Sequence, residues 1–199
     1  VGSTKGFIWS KLKQILPHDI DYVAGHPMTG SEQSGIKAAN AELFRNKGYI
    51  LIPQTAKKEK SVKLVNALLK VTGANITTMG IEEHDAVAAV ISHVPHVVAA
   101  GLVNILGSAE TDVDNKLKLA GGGFKDTTRI ASSNSDMWAD ICISNADNII
   151  IELEKLQTEI TGVITDIKNN DRDNIYNYFY KAKCRRDKLI DAANRILKK

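Results

Sequence analysis

Residues 81–106 read IEEHDAVAAVISHVPHVVAAGLVNIL, and this stretch decides the fold class. Its apolar residues recur at steps of three and four, which is the period of one face of an α-helix. The run therefore predicts a long, mostly apolar helix. Pro95 lies inside it and is expected to kink or break that helix, because proline has no backbone N–H to donate.

The pattern stays helical on the C-terminal side of this run. A shorter helix is predicted around residues 111–119, before the triple glycine at 121–123. Apolar residues recur every three or four positions from Trp138 to Ile167, which predicts one long helix or two stacked ones, and a last helix is predicted over 172–197. Apolar surface of this extent is more easily buried in a dimer than in a monomer. Residues 55–199 are therefore predicted to form a helical dimerisation domain.

The N-terminal part alternates helices with short strands. An amphipathic helix ends before Pro17, and short β-rich runs follow at residues 21–27 and 49–53. This rhythm is typical of a parallel α/β sheet, so residues 1–54 are predicted to be the C-terminal remnant of a dinucleotide-binding (Rossmann) domain. The fold class is mainly α, with this remnant preceding the long-helix domain. None of the 199 residues forms Gly-x-Gly-x-x-Gly, and the chain is expected to begin within the domain.

Composition and charge narrow the function classes. A hydrophobic fraction of 43% and a net charge of +3 are ordinary for a soluble protein. The basic run at residues 181–188 is best explained as a solvated helix face, so no nucleic-acid partner is expected. No uninterrupted run of 18 apolar residues and no leader peptide are found, so no membrane partner is expected either. Cys142 and Cys184 suit neither a disulfide framework nor a zinc site, which favours a cytoplasmic location.

Two polar clusters follow predicted strands near the N-terminus. The first, GSTKG at residues 2–6, places Ser3 where ligands bind in open α/β sheets, although such turns are commonly structural. The second, GHPMTGSEQSG at residues 25–35, places His26 at a strand end. A histidine there can act as a general base near neutral pH, or can merely hydrogen-bond a turn.

Two further clusters lie in the helical part. His84, His93 and His96 occur close together, but their spacing is a poor match to a metal site and favours a pocket lining or buried core histidines. The fourth cluster, GGGFKDTTRIA at residues 121–131, allows close backbone approach to a ligand at Gly122. Arg129 offers a planar cation suited to a carboxylate, or forms a salt bridge with Asp126.

Together the four clusters resemble the successive motifs of the prephenate and arogenate dehydrogenases. The resemblance spans about residues 1–145 and rests on the order and spacing of the set. It implies oxidative decarboxylation of prephenate to 4-hydroxyphenylpyruvate with NAD, in tyrosine biosynthesis, by a homodimer whose active site lies between the two domains. Without the glycine fingerprint the 199 residues are expected to dimerise, to bind NAD weakly and to be inactive alone.

The resemblance also implies roles for individual residues. His26 matches the histidine that takes the proton of the prephenate ring hydroxyl, and Ser3 matches the serine that holds this hydroxyl near the nicotinamide. Arg129 matches the arginine that engages a substrate carboxylate. The remaining matches are His84, His93 and His96 on the helical side of the pocket, Ser31 and Glu32 over its entrance, and Asp126 and Gly122 beside Arg129.

Several alternatives stay open at this point. Arogenate could replace prephenate as substrate, and no residue decides between them. A non-catalytic helical dimerisation and tyrosine-sensing module is a second alternative, with tyrosine as a candidate inhibitor. A β-hydroxyacid dehydrogenase is disfavoured because residues 81–106 contain no lysine. The choice between NAD and NADP is not encoded in these residues.

Overall fold

The structure is a computed structural model that describes residues 2–30, 35–36, 39–107 and 118–197, with side chains of the last helix described to residue 192. It divides into two compact units, Val1–Glu152 and Leu153–Lys199. The first unit holds a small sheet and most of the helices, and it carries nearly all of the predicted site residues. Of the helix predicted around residues 111–119, positions 111–117 lie outside the described residues.

A three-stranded sheet forms the N-terminal part of the first unit. Its strands are β1 (Ala24–Pro27), β2 (Gly48–Ile52) and β3 (Asn75–Thr78), in the order β1-β2-β3. β2 and β3 are parallel, and α2 (Glu59–Val71) provides the crossover between them. The sequence predicts a parallel sheet. β1 and β2 are antiparallel, however, so the observed sheet is mixed. An antiparallel neighbour needs no crossover helix, so β1 and β2 require none between them.

Helices cover both faces of this sheet, and β2 is therefore buried on both faces. Ile50 and Ile52 pack on one face, against Ile81. Trp9 of the helix α1 (Gly6–Ile15) packs on the same face. Tyr49 and Leu51 pack on the other face, where α2 contributes Leu69. A strand that alternates between two apolar layers reads as a continuous hydrophobic run, as the sequence YILI of β2 does. Both layers support the C-terminal end of β1, where His26 lies.

The long apolar run is helical but irregular in the middle. It comprises α3 (Ile81–Ala88), a π-helical turn (Ala89–His93) and α4 (Val94–Gly107). The predicted break is absent, because the helix continues through a widened turn directly before Pro95, and the position of that turn has a physical reason. Pro95 cannot donate the hydrogen bond that would close the α-helical turn on residue 91, so the turn before it widens.

By length and composition this run could cross a membrane, since an 18-residue window within Ile81–Leu106 has a mean hydropathy of 1.8. In the structure, part of this run lies in the interior of the first unit. His84 and His93 are completely buried and are hydrogen-bonded to other elements of the first unit, while apolar residues such as Ile91 and Ile105 are exposed. The run therefore has one side in the interior of the protein and an exposed apolar side.

The remaining helices follow the predicted order. A short helix, α5 (Gly122–Thr128), continues into a 3-10 turn (Arg129–Ser132). The predicted pattern from 138 to 167 forms two helices, α6 (Ser135–Ser144) and α7 (Ala146–Lys168). The last helix, α8, spans Arg172–Leu197, as predicted. Asn145 separates α6 from α7, and its side chain bonds inward instead of continuing the helix surface.

Gly25 allows β1 to lie beneath the buried ring of Tyr49. A Cβ atom at residue 25 would lie 2.6 Å from Cε1 of Tyr49, and that ring is only 6% exposed. We expect Gly25→Ala to lower the free energy of unfolding by about 1–3 kcal/mol, the usual cost of overpacking. Urea denaturation of the single variant and of Gly25→Ala in a Tyr49→Leu background measures this. An equal loss in both backgrounds would contradict the role assigned to the ring.

Candidate functional site

His26 lies at the C-terminal end of β1 and is held there by a second histidine. Its Nδ1 is 2.9 Å from Nε2 of His84, which comes from α3. The two rings are tilted, with centroids 5.1 Å apart. His84 has no exposed surface, whereas His26 is only partly buried. The strand thus presents a half-buried imidazole whose Nδ1 edge is held by His84.

The neighbouring carboxylate, Asp85, holds His84 in turn. Its Oδ1 lies 2.7 Å from Nδ1 of His84. The same carboxylate accepts backbone N–H bonds from Lys5 at 2.9 Å and from Gly6 at 2.8 Å, at the N-terminus of α1. A helix N-terminus favours a negative charge, so Asp85 stays anionic there. A continuous line of polar contacts runs from α1 through Asp85 and His84 to His26.

Burial and charge shift the pKa values along this line. Burial, then the Lys5 cation, then the neighbouring histidines lower the pKa of His26 to about 3. Burial lowers the pKa of Lys5 to about 8, although Asp85 raises it. For Asp85 burial acts upward, but the hydrogen bonds from His84, Gly6 and Lys5 outweigh it and hold the pKa below its ordinary value. At neutral pH His26 is therefore a neutral imidazole beside a carboxylate and a lysine.

Lys5 is one of the buried charges of the site, with 3% of its surface exposed. Its ammonium group donates to the backbone carbonyls of Gly2 and Thr4, so it folds back on the turn that precedes α1. Thr4 is also buried, and its hydroxyl lies 3.1 Å from that of Ser144 in α6. This turn is thereby linked both to the His84–Asp85 pair and to α6.

A second histidine group lies further along the same helical run. His93 is completely buried, and its Nδ1 is 3.1 Å from the side-chain amide of Asn145. That amide also donates to the backbone carbonyl of Asp85. His96 stacks on Trp138, with ring centroids 3.8 Å apart. Nε2 of His93 and Nε1 of Trp138 are buried without a hydrogen-bond partner among the described residues.

A cleft of about 490 Å³ opens beside His96. Its walls come from α4, from α6 and from the 3-10 turn that begins at Arg129. Ile130 and Ala131 line it, so the predicted arginine lies directly beside this cleft, at an exposed position. Asp126 and Gly122 are exposed on the adjoining helix α5. The hydrogen bond and the ring contact described for His26 are both with His84.

Ser3 lines a different cleft. This space, of about 620 Å³, lies between the N-terminal turn and α6 and is also lined by Thr4 and Ser144. Ser3 and His26 are linked through the Lys5–Asp85–His84 contacts and share no direct contact among the described residues. Ser31 and Glu32 lie outside the described residues. Across the described ranges, no three His, Cys, Asp or Glu side chains are placed to hold a metal ion.

Sequence reasoning missed four residues of this region: Lys5, Asp85, Trp138 and Asn145. Asp85 was visible as the carboxylate next to His84, but its partners in α1 are 79 and 80 positions away. Asn145 gave a weaker signal, since it lies in the mostly polar run SNADN at residues 144–148, which interrupts the apolar pattern. Long-range hydrogen bonds of this kind leave no periodic trace in a sequence.

Comparison with known proteins agrees with the motifs. Residues 1–78 match the family model described as "Prephenate dehydrogenase, nucleotide-binding domain", and residues 81–181 match the one described as "Prephenate dehydrogenase, dimerization domain". The predicted boundary between residues 54 and 55 stays a prediction. β3 lies beyond it in sequence and pairs with β2 before it.

Three relatives illustrate the similarity. A Bacillus subtilis prephenate dehydrogenase is 42% identical over 95% of this chain and 51% of its own length. The structure of Aquifex aeolicus prephenate dehydrogenase in complex with hydroxyphenyl propionate and NAD⁺ matches with a TM-score of 0.84 at 34% identity, over 94% of this chain and 65% of that one. Synechocystis arogenate dehydrogenase matches with a TM-score of 0.79 at 25% identity, over 95% and 68%. The chain spans about half the length of the curated relatives it matches.

We expect the stability of the protein to fall as the pH drops from 7 to 5, because His93 is buried as a neutral ring. Burial lowers its pKa to about 4, whereas an unfolded histidine titrates near ~6.5. The unfolded state therefore binds more protons in this window, and roughly 2 kcal/mol should be lost through this residue.

Urea denaturation at pH 7 and pH 5 measures the loss. His93→Asn should remove its own share of the pH dependence, while the share of His26, whose pKa is also lowered, should remain. The exposed His18→Asn is the matched control. Equal pH dependence in the wild type and in His93→Asn would refute this assignment.

Proposed function

The chain belongs to the prephenate dehydrogenase family, and from that membership we propose that it supplies the substrate-binding part of an enzyme that converts prephenate to 4-hydroxyphenylpyruvate and CO₂ with NAD⁺. The observation that carries this proposal is the imidazole of His26. It lies at the C-terminal end of β1, its Nδ1 is hydrogen-bonded to His84, and it is neutral at physiological pH. A neutral imidazole can accept the proton of a substrate hydroxyl, as general-base chemistry requires.

The proposed reaction needs little beyond alignment and one proton acceptor. Hydride leaves the ring carbon that bears the hydroxyl, and the bond to the ring carboxylate breaks. The electron pair of that bond enters the ring, which becomes aromatic, and CO₂ departs. His26 holds the hydroxyl proton while charge develops, and the proton ends on the phenol oxygen of the product. No net proton is lost, so the histidine returns to its starting state.

Substrate charge fits the cations of the region. Prephenate is a dianion, and Arg129 offers a guanidinium group at an exposed position beside the cleft of His96. We assign this arginine to a substrate carboxylate and His96 to the helical wall of the pocket. The completely buried His93 packs against Trp138 behind that wall. His84 acts through His26, and Ser3 is proposed to orient the substrate hydroxyl. We propose that Ser31 and Glu32 lie over the pocket entrance and that Asp126 and Gly122 belong to the substrate site beside Arg129.

The residues present fit one end of NAD. Ser3 and Thr4 line a cleft at the turn before α1, which suits the nicotinamide end. Bound NAD⁺ would accept the hydride there. Phosphate binding depends on a glycine-rich turn at a helix N-terminus, and no Gly-x-Gly-x-x-Gly occurs in these 199 residues. We therefore expect the 199 residues alone to bind NAD⁺ weakly and to be inactive.

Arogenate is the second candidate substrate. The similarity to Synechocystis arogenate dehydrogenase favours keeping it, since that protein matches over 95% of this chain. Arogenate carries an amine where prephenate has a keto group, so the ring chemistry at His26 is the same for both. Tyrosine resembles the aromatic product and is proposed as an inhibitor that competes for the same pocket.

We further propose that the protein is a cytoplasmic homodimer. Apolar side chains on α7 and α8 are exposed, among them Ile164 at 44% and Phe179 at 63%. Both fall within the residues that match the dimerisation family model. A second copy is the partner that would bury such a surface. Two unpaired cysteines suit a reducing compartment.

Prephenate titration of the chain by calorimetry tests the substrate assignment. We expect Arg129→Ala to weaken binding at least about tenfold, because a charged hydrogen bond is typically worth ~1.5–3 kcal/mol. Lys125→Ala removes a nearby exposed cation of the same cluster and should change the affinity little. Equal losses in both variants would indicate a general charge effect and contradict a specific role for Arg129. Tighter binding of arogenate than of prephenate would favour the second candidate.

His26→Asn tests the proton acceptor. In the protein with a complete nucleotide-binding domain we expect the turnover rate to fall ~10²–10⁴-fold, the usual contribution of general-base help. His18→Asn makes the same change at an exposed histidine and should leave the rate intact. A rate within twofold of wild type for His26→Asn would refute the assignment.

Sedimentation of the chain tests the dimer. A mass of twice the 21.7 kDa protomer is expected at micromolar concentration. Ile164→Asp should shift the equilibrium toward the monomer, because it places a charge on the proposed interface. Leu64→Asp is a matched control, since Leu64 is 72% exposed but lies outside the dimerisation match. A monomeric wild type would contradict the proposal.

A further inference from the structure

The polar line from α1 to His26 constrains where each imidazole carries its proton. A neutral imidazole has one N–H donor and one lone-pair acceptor, and the hydrogen bond at one nitrogen decides the role of the other. The line ends on Asp85, which in its anionic form can only accept. The tautomers can therefore be worked out in order, starting from that carboxylate.

Asp85 fixes the first step. Its Oδ1 lies 2.7 Å from Nδ1 of His84, so that nitrogen must carry the proton. Lys5 and Gly6 donate their backbone N–H groups to the same carboxylate and hold its orientation. In neutral His84 the remaining nitrogen, Nε2, has only a lone pair. That lone pair lies 2.9 Å from Nδ1 of His26 and can only accept from it.

We propose that Asp85 and His84 are positioning residues that set the tautomer of His26, with the proton on Nδ1 and the lone pair on Nε2. This inference rests on the proposed function for its consequence, because the lone pair of Nε2 is what the substrate hydroxyl would meet. In the opposite tautomer His26 would present an N–H to a hydroxyl that must itself donate. Such a mismatch leaves the proton without an acceptor.

The same line stabilises His26 after it has taken the proton. Protonation at Nε2 makes an imidazolium whose Nδ1–H still donates to His84, while His84 donates to the Asp85 anion. The positive charge is thus polarised toward a carboxylate without either neighbour changing place. In the free protein burial and the Lys5 cation disfavour this charge, so the imidazolium would be short-lived and would return its proton to the product.

NMR of the chain with ¹⁵N-labelled histidine tests the proposal without any need for turnover. Protonated and unprotonated ring nitrogens have well-separated ¹⁵N shifts, so each tautomer is read directly. At pH 7 we expect both His26 and His84 as the Nδ1–H tautomer. Finding His26 as Nε2–H, or His84 doubly protonated, would overturn the proposal. This measurement on the wild type needs no variant to fold.

Two substitutions at residue 84 then test whether His26 needs a hydrogen-bond acceptor there or only a side chain of similar size. In His84→Gln the side-chain amide oxygen can replace Nε2 as acceptor, so the Nδ1–H tautomer of His26 should persist. In His84→Leu no acceptor remains, and His26 should shift toward a mixture of tautomers, with prephenate affinity reduced at least tenfold. The exposed His18→Gln and His18→Leu are matched controls and should change neither. An unchanged His26 tautomer in a folded His84→Leu would overturn the proposal.

The outcomes also separate this inference from the proposed function. If the wild type shows the expected tautomers but binds neither prephenate nor arogenate, the positioning role stands and the assigned substrate is wrong. If the wild type binds prephenate while His26 carries its proton on Nε2, the substrate assignment stands and the positioning role is wrong.

Discussion

The arrangement of the first unit depends on the two backbone N–H groups at the start of α1 that donate to the carboxylate of Asp85. This contact joins residues some 80 positions apart and brings the N-terminal turn against α3. Because the carboxylate is satisfied by the helix N-terminus, it remains an anion in a partly buried place. The Asp85 carboxylate holds the ring of His84, and His84 in turn holds the ring of His26 at the end of β1. Burying an unpaired carboxylate would be costly, so the contact is also a condition for folding.

Much of the fold could be predicted from local patterns. The apolar period of residues 81–106 correctly predicts a helix, and the bounds of the last helix are also correct. Pro95 widens the turn before it instead of breaking the helix. The antiparallel pairing of β1 was missed, because strand direction depends on the path of the connection and not on the strand residues. Asn145 decided that the pattern from 138 to 167 forms two helices, and a sequence period alone leaves that choice open.

The sequence identifies the individual histidines of the candidate site but not how they are arranged in space. His26, His84, His93 and His96 were all named, and the structure brings them into two groups: His26 with His84, and His93 near His96 and Trp138. The order within each group could not be predicted, because it depends on hydrogen bonds between distant elements. Arg129 lies beside the cleft of His96, at the start of a turn whose position depends on α4.

The π-helical turn at Ala89–His93 lies between His84 and His96 on one continuous helix, and His93 is its last residue. A π turn takes about one residue more than an α turn, so it offsets the angular phase of everything that follows. Loss of a single residue there would leave a regular helix of nearly the same length. It would, however, rotate His96 by roughly 100° relative to His84, since each residue turns an α-helix by that angle. The number of residues in this segment is therefore as constrained as their identity, which limits how insertions and deletions can be tolerated in its evolution or redesign.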